Sequence, residues 1–345
     1  MDLSSKVLIL LKVALISSCI GDQKDPGKMV RQNDSTELAS SMSKQPMKQQ
    51  QPDVQLYYFY DLEEYRGVKS VFVSLSDNYI PSSHKDSLAM PDISSIPVSE
   101  RNFIVLQNPY RSTFLHKTGI SENDSVFVID FSSGAMRTFA VRDLRVAANM
   151  NAYSEGVEVP TQFDYEIGFE LPKEQVLDVK DHHNFVAVGK ENPFAVAALK
   201  LMNWKNIPRN KFPPSAKKAV KLVENSMIDS TFLAVDGSYQ YFLRDYYDST
   251  ERNNVTHRHL VVVDTDQKKI IKERLFIQDE GSSMSPLNLR IVGDVIKFEN
   301  QWAGKLFKNS PEVVFGFESI SFGCPIVTFL DSDRKDLSIN CDNRH

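Results

Sequence analysis

The run Phe232-Leu233-Ala234-Val235-Asp236-Gly237-Ser238-Tyr239-Gln240-Tyr241-Phe242-Leu243-Arg244 decides the fold class of this chain. Two short apolar and aromatic stretches flank Asp-Gly-Ser, which reads as strand, tight turn, strand. The pattern continues through a polar loop from Asp248 to Thr256. A third stretch ends in Val261-Val262-Val263-Asp264, Thr265-Asp266-Gln267 turns the chain, and a last strand runs to Phe276. Four strands in sequence with short connections predict an antiparallel meander.

Working outward, Phe103 to Val141 follows the same order. It ends in Val126-Phe127-Val128-Ile129-Asp130, a turn at Ser132-Ser133-Gly134 and a further strand. Asp130 and Asp264 end their strands in the same way, and aspartate there is expected to cap the turn by accepting nearby backbone N–H groups. Most other apolar runs are short, β-branched or aromatic, and bounded by turn residues. They predict strands at 55–60, 70–75, 163–169, 185–188, 289–292, 295–299, 313–317 and 326–330. Two segments predict helix instead: the alanine-bearing Pro193 to Trp204, and Ser215 to Asn225, which follows Pro213-Pro214 at a good N-cap.

Meanders with an aspartate closing the third strand resemble blades of β-propellers. The chain is therefore expected to be mostly β, built of antiparallel four-strand meanders in a propeller-like arrangement with a small helical insert. The alternative is two β-rich α+β domains divided near 190–228. Against the propeller stand the insert and only 14 glycines, about half the average usage.

The N-terminus carries an address. Lys6 precedes an apolar stretch from Val7 to Ile16, broken by Lys12, and Ile16-Ser17-Ser18-Cys19 closes it. The stretch is too short for a bilayer-spanning helix and reads as a removable secretory signal over residues 1–18. Its last four residues resemble the bacterial lipobox. That resemblance implies that Cys19 is diacylated and becomes the mature N-terminus, and that Ile20, in the place where an aspartate would retain the protein in the inner membrane, favours the outer membrane. Residues 19–53, rich in Gln, Ser and Lys without apolar periodicity, read as a tether of roughly 30 Å root-mean-square span. The β-rich globular region is then 54–345.

With Cys19 assigned to lipid, Cys324 and Cys341 remain. In an oxidising compartment two cysteines seventeen residues apart read as one disulfide. The net charge of −5 provides no basic field, so nucleic acid is not an expected partner.

Several constellations suggest chemistry and have plainer readings. His257 and His259 would share one face of a strand and could meet a metal, and Asp178, Asp181, His182 and His183 form a second such group. Surface histidines are the commoner outcome, and no metal or other cofactor is expected. Asp331, Asp333 and Asp336 lack the glycine and final glutamate of a calcium loop and read as a solvated acidic turn. Ser41-Met42-Ser43-Lys44, Ser76-Asp77-Asn78 and Lys117-Thr118-Gly119 occur in the order of the penicillin-binding motifs. Ser41, however, lies in the tether, and the set reads as coincidence. The tyrosines of 57–60 and Tyr239, Tyr241, Tyr246 and Tyr247 could furnish a recognition surface.

The function expected is that of a lipid-anchored, non-catalytic protein-binding module of the bacterial envelope, for example a toxin-neutralising immunity lipoprotein or an assembly component. An exported hydrolase or a glycan-binding lipoprotein is the alternative.

Overall fold

A computed structural model describes residues 54–62, 70–76, 79, 89–154, 156–176, 178–180, 182–214, 227–247, 254–289 and 298–341. The expected signal, lipidation motif and tether, Asp181, the expected helix at 215–225 and the expected strands of 290–297 lie outside them. Residues 52–345 belong to one compact unit. Among the described residues the fold is mostly β, with several antiparallel sheets and one α-helix.

The expected meander at 232–276 forms as a sheet. Met227–Asp236, Tyr239–Tyr247, Val255–Asp264 and Lys269–Ile277 pair in sequence order, with the short strand Lys205–Asn206 added at one edge. Its inner residues Leu243, Leu260, Val262 and Phe276 pack against Met202, Trp204, Val314 and Phe317.

The matching pattern at 103–141 does not make a blade. Phe103–Val105 pairs with Arg145–Met150, in a five-stranded sheet that also holds Phe59–Asp61, Ser70–Ser74 and Tyr165–Pro172. Ser125–Asp130 and Met136–Ala140 belong to a different, nine-stranded sheet. Between them lies the α-helix Tyr110–Thr118 in place of the expected strand and loop. Gly119 closes it at φ 70°, its N–H reaching the Leu115 and His116 carbonyls. Lys117-Thr118-Gly119 is thus a helix end. No propeller and no closed barrel is present among the described residues, because strands close in sequence are dealt to different sheets.

The nine-stranded sheet joins both ends of the globular region. Leu56–Tyr57 pairs in parallel with Leu337–Asn340 and antiparallel with Asn184–Gly189. Along Ser125–Asp130, Val126 and Val128 enter the core shared with the five-stranded sheet, while Phe127 and Ile129 enter a second core. Such a strand, covered on both faces, reads as a continuous apolar run. Burying each side chain of this kind stabilises by about 1.5–3 kcal/mol relative to exposure.

The second core shows that the sheet is curled. Phe185 and Phe315 are separated by four strand spacings, which in a flat sheet is about 19 Å. Their ring centroids are 5.2 Å apart. The two halves of the sheet therefore fold toward each other around Phe131, Phe185, Trp302 and Phe315. One corner is tied by the Leu199 N–H donating to the Phe131 carbonyl at 2.7 Å.

The expected helix at 193–204 is extended. Its backbone donors are taken by carbonyls of the segments beside it: Ala195 N–H by Leu306, Met202 N–H by Gln301 and Trp204 N–H by Asn288. Its apolar residues serve two cores, Phe194 and Leu199 in one, Met202 and Trp204 in the other. Neighbouring segments, not its own i→i−4 bonds, satisfy its backbone. No helix among the described residues is long and apolar enough to cross a membrane.

Candidate functional site

The two turn aspartates do the work expected of them. Asp130 Oδ1 accepts from Ser132 N–H at 2.8 Å, Ser132 Oγ at 2.6 Å and Ser133 N–H at 3.0 Å. Its other oxygen accepts from Lys180 N–H. Asp264 Oδ1 accepts from the N–H groups of Asp266 and Gln267. These oxygens are spent on turns.

The histidines go to separate places. His259 is buried, its Nε2 2.8 Å from Glu273 Oε1 and its ring against Phe212. His257 Nδ1 lies 2.9 Å from Thr256 Oγ1. His183 is buried between Phe131 and Trp302, with Nε2 3.4 Å from Glu299 Oε2, whereas His182 is exposed. Burial lowers the pKa of His183, His257 and His259. Among the described residues no three His, Cys, Asp or Glu converge as a metal site. Asp178 pairs with Arg137, and Asp336 with Arg274 and Lys272. Asp331 accepts from Asp333 N–H, as a solvated acidic turn would.

Cys324 and Cys341 stand at disulfide distance, Cα to Cα 5.5 Å. They flank the paired strands Ile326–Phe329 and Leu337–Asn340. Tyr57 and Tyr241 are core residues, so the tyrosine runs do not form a recognition face as a whole.

Two concave features were not singled out from the sequence. The first is a surface groove of about 540 Å³ between residues 90–101 and 159–162. Short turns build both walls. Asp92 caps the first by accepting from Ser94 N–H at 3.0 Å and Ser94 Oγ at 2.7 Å, bonds that hold its carboxyl below the usual range. Arg101 Nε donates to the Ile96 carbonyl at 2.9 Å. On the other wall Asp164 accepts from Thr161 N–H, Thr161 Oγ1 and Ser154 Oγ, stapling the loop between them. These stapled segments carry bulky apolar side chains outward: Val159 and Val98 are each 76% exposed and Tyr153 75%. The exposed acids Asp92, Glu100 and Glu158 belong to the same segments, and Asp92 and Arg101 line the groove.

The second is a smaller cavity of about 160 Å³ lined by Tyr58, Phe276, Phe315, Phe317, Glu318 and Ile339, among others. Its wall is set by backbone. Gly316 has φ 83°, and a Cβ there would fall 1.7 Å from the Asn300 carbonyl oxygen, so only glycine fits. The next carbonyl, of Phe317, accepts from Ser285 N–H at 3.0 Å and from Arg258 Nη1 at 3.2 Å. Arg258 is buried and held in a two-pronged ion pair with Asp245 at 2.8 and 3.0 Å. Burial raises the pKa of Glu318 and of Tyr58.

Comparison of the chain with protein-family models, with curated proteins and with solved structures returns no match.

Proposed function

We propose that this chain is a lipid-anchored protein of the bacterial envelope whose folded region is a non-catalytic protein-binding module. The groove between residues 90–101 and 159–162 is its docking surface. The observation that carries this reading is the conjunction of outward-facing Val159 in the groove wall, and of exposed Val98 and Tyr153 on the segments next to it in sequence, with side-chain-stapled turns. Large apolar groups held in water are costly unless a partner covers them, and a preordered loop loses little entropy on docking. The exposed acids Asp92, Glu100 and Glu158 on these segments outnumber the groove-lining Arg101, so the partner is a protein surface presenting apolar side chains with Lys or Arg beside them. Anchoring rests on the lipobox-like Ile16-Ser17-Ser18-Cys19 and on a tether that would hold the folded region clear of the bilayer.

The test uses the full-length chain in its own cells. Cys19→Ser is expected to move the protein from the membrane to the soluble fraction. The partner recovered with the wild-type chain is expected to be lost from Val159→Lys, in the groove wall, and retained by Phe322→Ala, an exposed apolar residue elsewhere. A partner retained by the groove variant would overturn the docking assignment, and membrane retention of Cys19→Ser would overturn the anchor.

A further inference from the structure

We propose that the cavity bounded by Tyr58 and Glu318 binds a small organic cation, a primary or quaternary ammonium bearing a short apolar group, with the Glu318 carboxylate as its counter-ion. The cavity has the size for it: about 160 Å³ here, where an apolar cavity of about 150 Å³ holds benzene. Tyr58, Phe276, Phe315 and Phe317 provide an aromatic wall, the surface that favours organic cations over hydrated inorganic ones. Ile326, 37% exposed, also lines the cavity.

The local charge balance favours a cation. Arg258 is neutralised by Asp245. Arg274 and Lys272 both pair with Asp336, and Asp331 also acts on Lys272. Asp279, which accepts from Gly281 N–H and Ser282 Oγ, and Glu318 are the charges left over, both negative. The Glu318 carboxylate makes no hydrogen bond or ion pair with the described residues. A half-buried carboxylate in an apolar wall, with only the longer-range pull of Arg274 and Arg258, is poorly stabilised, and an ammonium ion in contact would supply what it lacks. Burial, with Asp279 adding to it and Arg274 and Arg258 opposing, raises the Glu318 pKa, so within its titration range an arriving cation displaces a proton.

The test is calorimetric titration of the full chain in detergent with butylammonium and with tetramethylammonium chloride, beside neutral butan-1-ol. Saturable binding of the cations is expected in the millimolar range suited to so few atoms, with butan-1-ol at least about tenfold weaker. Glu318→Gln is expected to weaken the cations by about tenfold or more and to leave butan-1-ol unchanged. Ile326→Trp, at an exposed position, is expected to block all three ligands. Cation affinity should fall as the pH is lowered into the range where Glu318 takes up its proton, and binding at that edge should release protons to the buffer. No saturable binding of either cation, equal affinity for butan-1-ol, or undiminished affinity in Glu318→Gln would each overturn the proposal.

Discussion

Residues 103–141 and 232–276 are written in nearly the same pattern and fold differently. Both contain an apolar strand ending in aspartate, and in both that aspartate caps the following turn. At 232–276 each strand finds its partner next in sequence. At 103–141 the first strand pairs with 145–150, the next apolar segment is a helix, and the remaining two strands join a sheet whose other members come from the far end of the chain. Turn chemistry is local and repeats. Pairing is settled by what else must be covered.

The largest effects should come from the cores of these two regions. Phe127→Ala, in the curled sheet, is expected to cost about 3–5 kcal/mol and Leu260→Ala, in the meander, about 2–5 kcal/mol, measured by urea denaturation. Their kinetics should divide them. The meander's contacts are closer in sequence, so Leu260→Ala is expected mainly to slow refolding and Phe127→Ala mainly to speed unfolding. The reverse pattern would mean that the curled sheet forms first.

Arg258 tests how the meander is fastened to the strands after it. Arg258→Met strands Asp245 in the interior and is expected to cost about 3–5 kcal/mol, while Arg258→Met with Asp245→Leu recovers much of that loss. If the double variant were as unstable as the single, the bonds from Arg258 to the Ser285 and Phe317 carbonyls would be the dominant contribution. At the chain's end, Cys324→Ser with Cys341→Ser is expected to cost about 3 kcal/mol under oxidising conditions. No cost would show that the pairing of 326–329 with 337–340 already closes that loop.

Smaller effects compare the turns directly. Asp130 receives four bonds and Asp264 two, so Asp130→Ala is expected to cost about 1–3 kcal/mol and Asp264→Ala about 1 kcal/mol. Burial raises the Asp130 pKa, but its bonds to Ser132, Lys180 and Ser133 outweigh burial and leave it lowered. A carboxylate depressed in the folded state stabilises above its unfolded pKa, so this contribution is lost as pH falls below about 4. The buried histidines act at higher pH. His183, His257 and His259 are harder to protonate folded than unfolded, so stability should begin to fall as pH drops below about 6.5. His183→Asn should flatten that slope in part, and an unchanged slope would assign it to the meander's histidines.

Much of the strand content was legible in the residues. The runs at 70–75, 185–188, 239–244 and 326–330 form strands because short, β-branched and aromatic segments between turn residues have few other ways to bury themselves. The helix at 110–118 escaped because only Phe114 and Leu115 are buried, leaving no apolar stripe; its signals were Pro109 before it and Gly119 after it. The segment 193–204 misled in the opposite way, since an apolar run does not reveal whether its backbone will be satisfied within the segment or by neighbours. The groove was hidden too. Val98, Tyr153 and Val159 are isolated in sequence and gain meaning only when two loops stand side by side.

By itself the sequence determined a mostly β fold, the aspartate-capped turns and the cysteine pair, because each depends on residues near one another along the chain. The tertiary structure alone decided which strands share a sheet, that the long sheet curls on its own aromatic core, and that Glu318 faces four aromatic residues across a cavity. Those arrangements depend on contacts between residues far apart in the chain, and they are selected by the joint need to bury apolar surface and leave no backbone group unpaired.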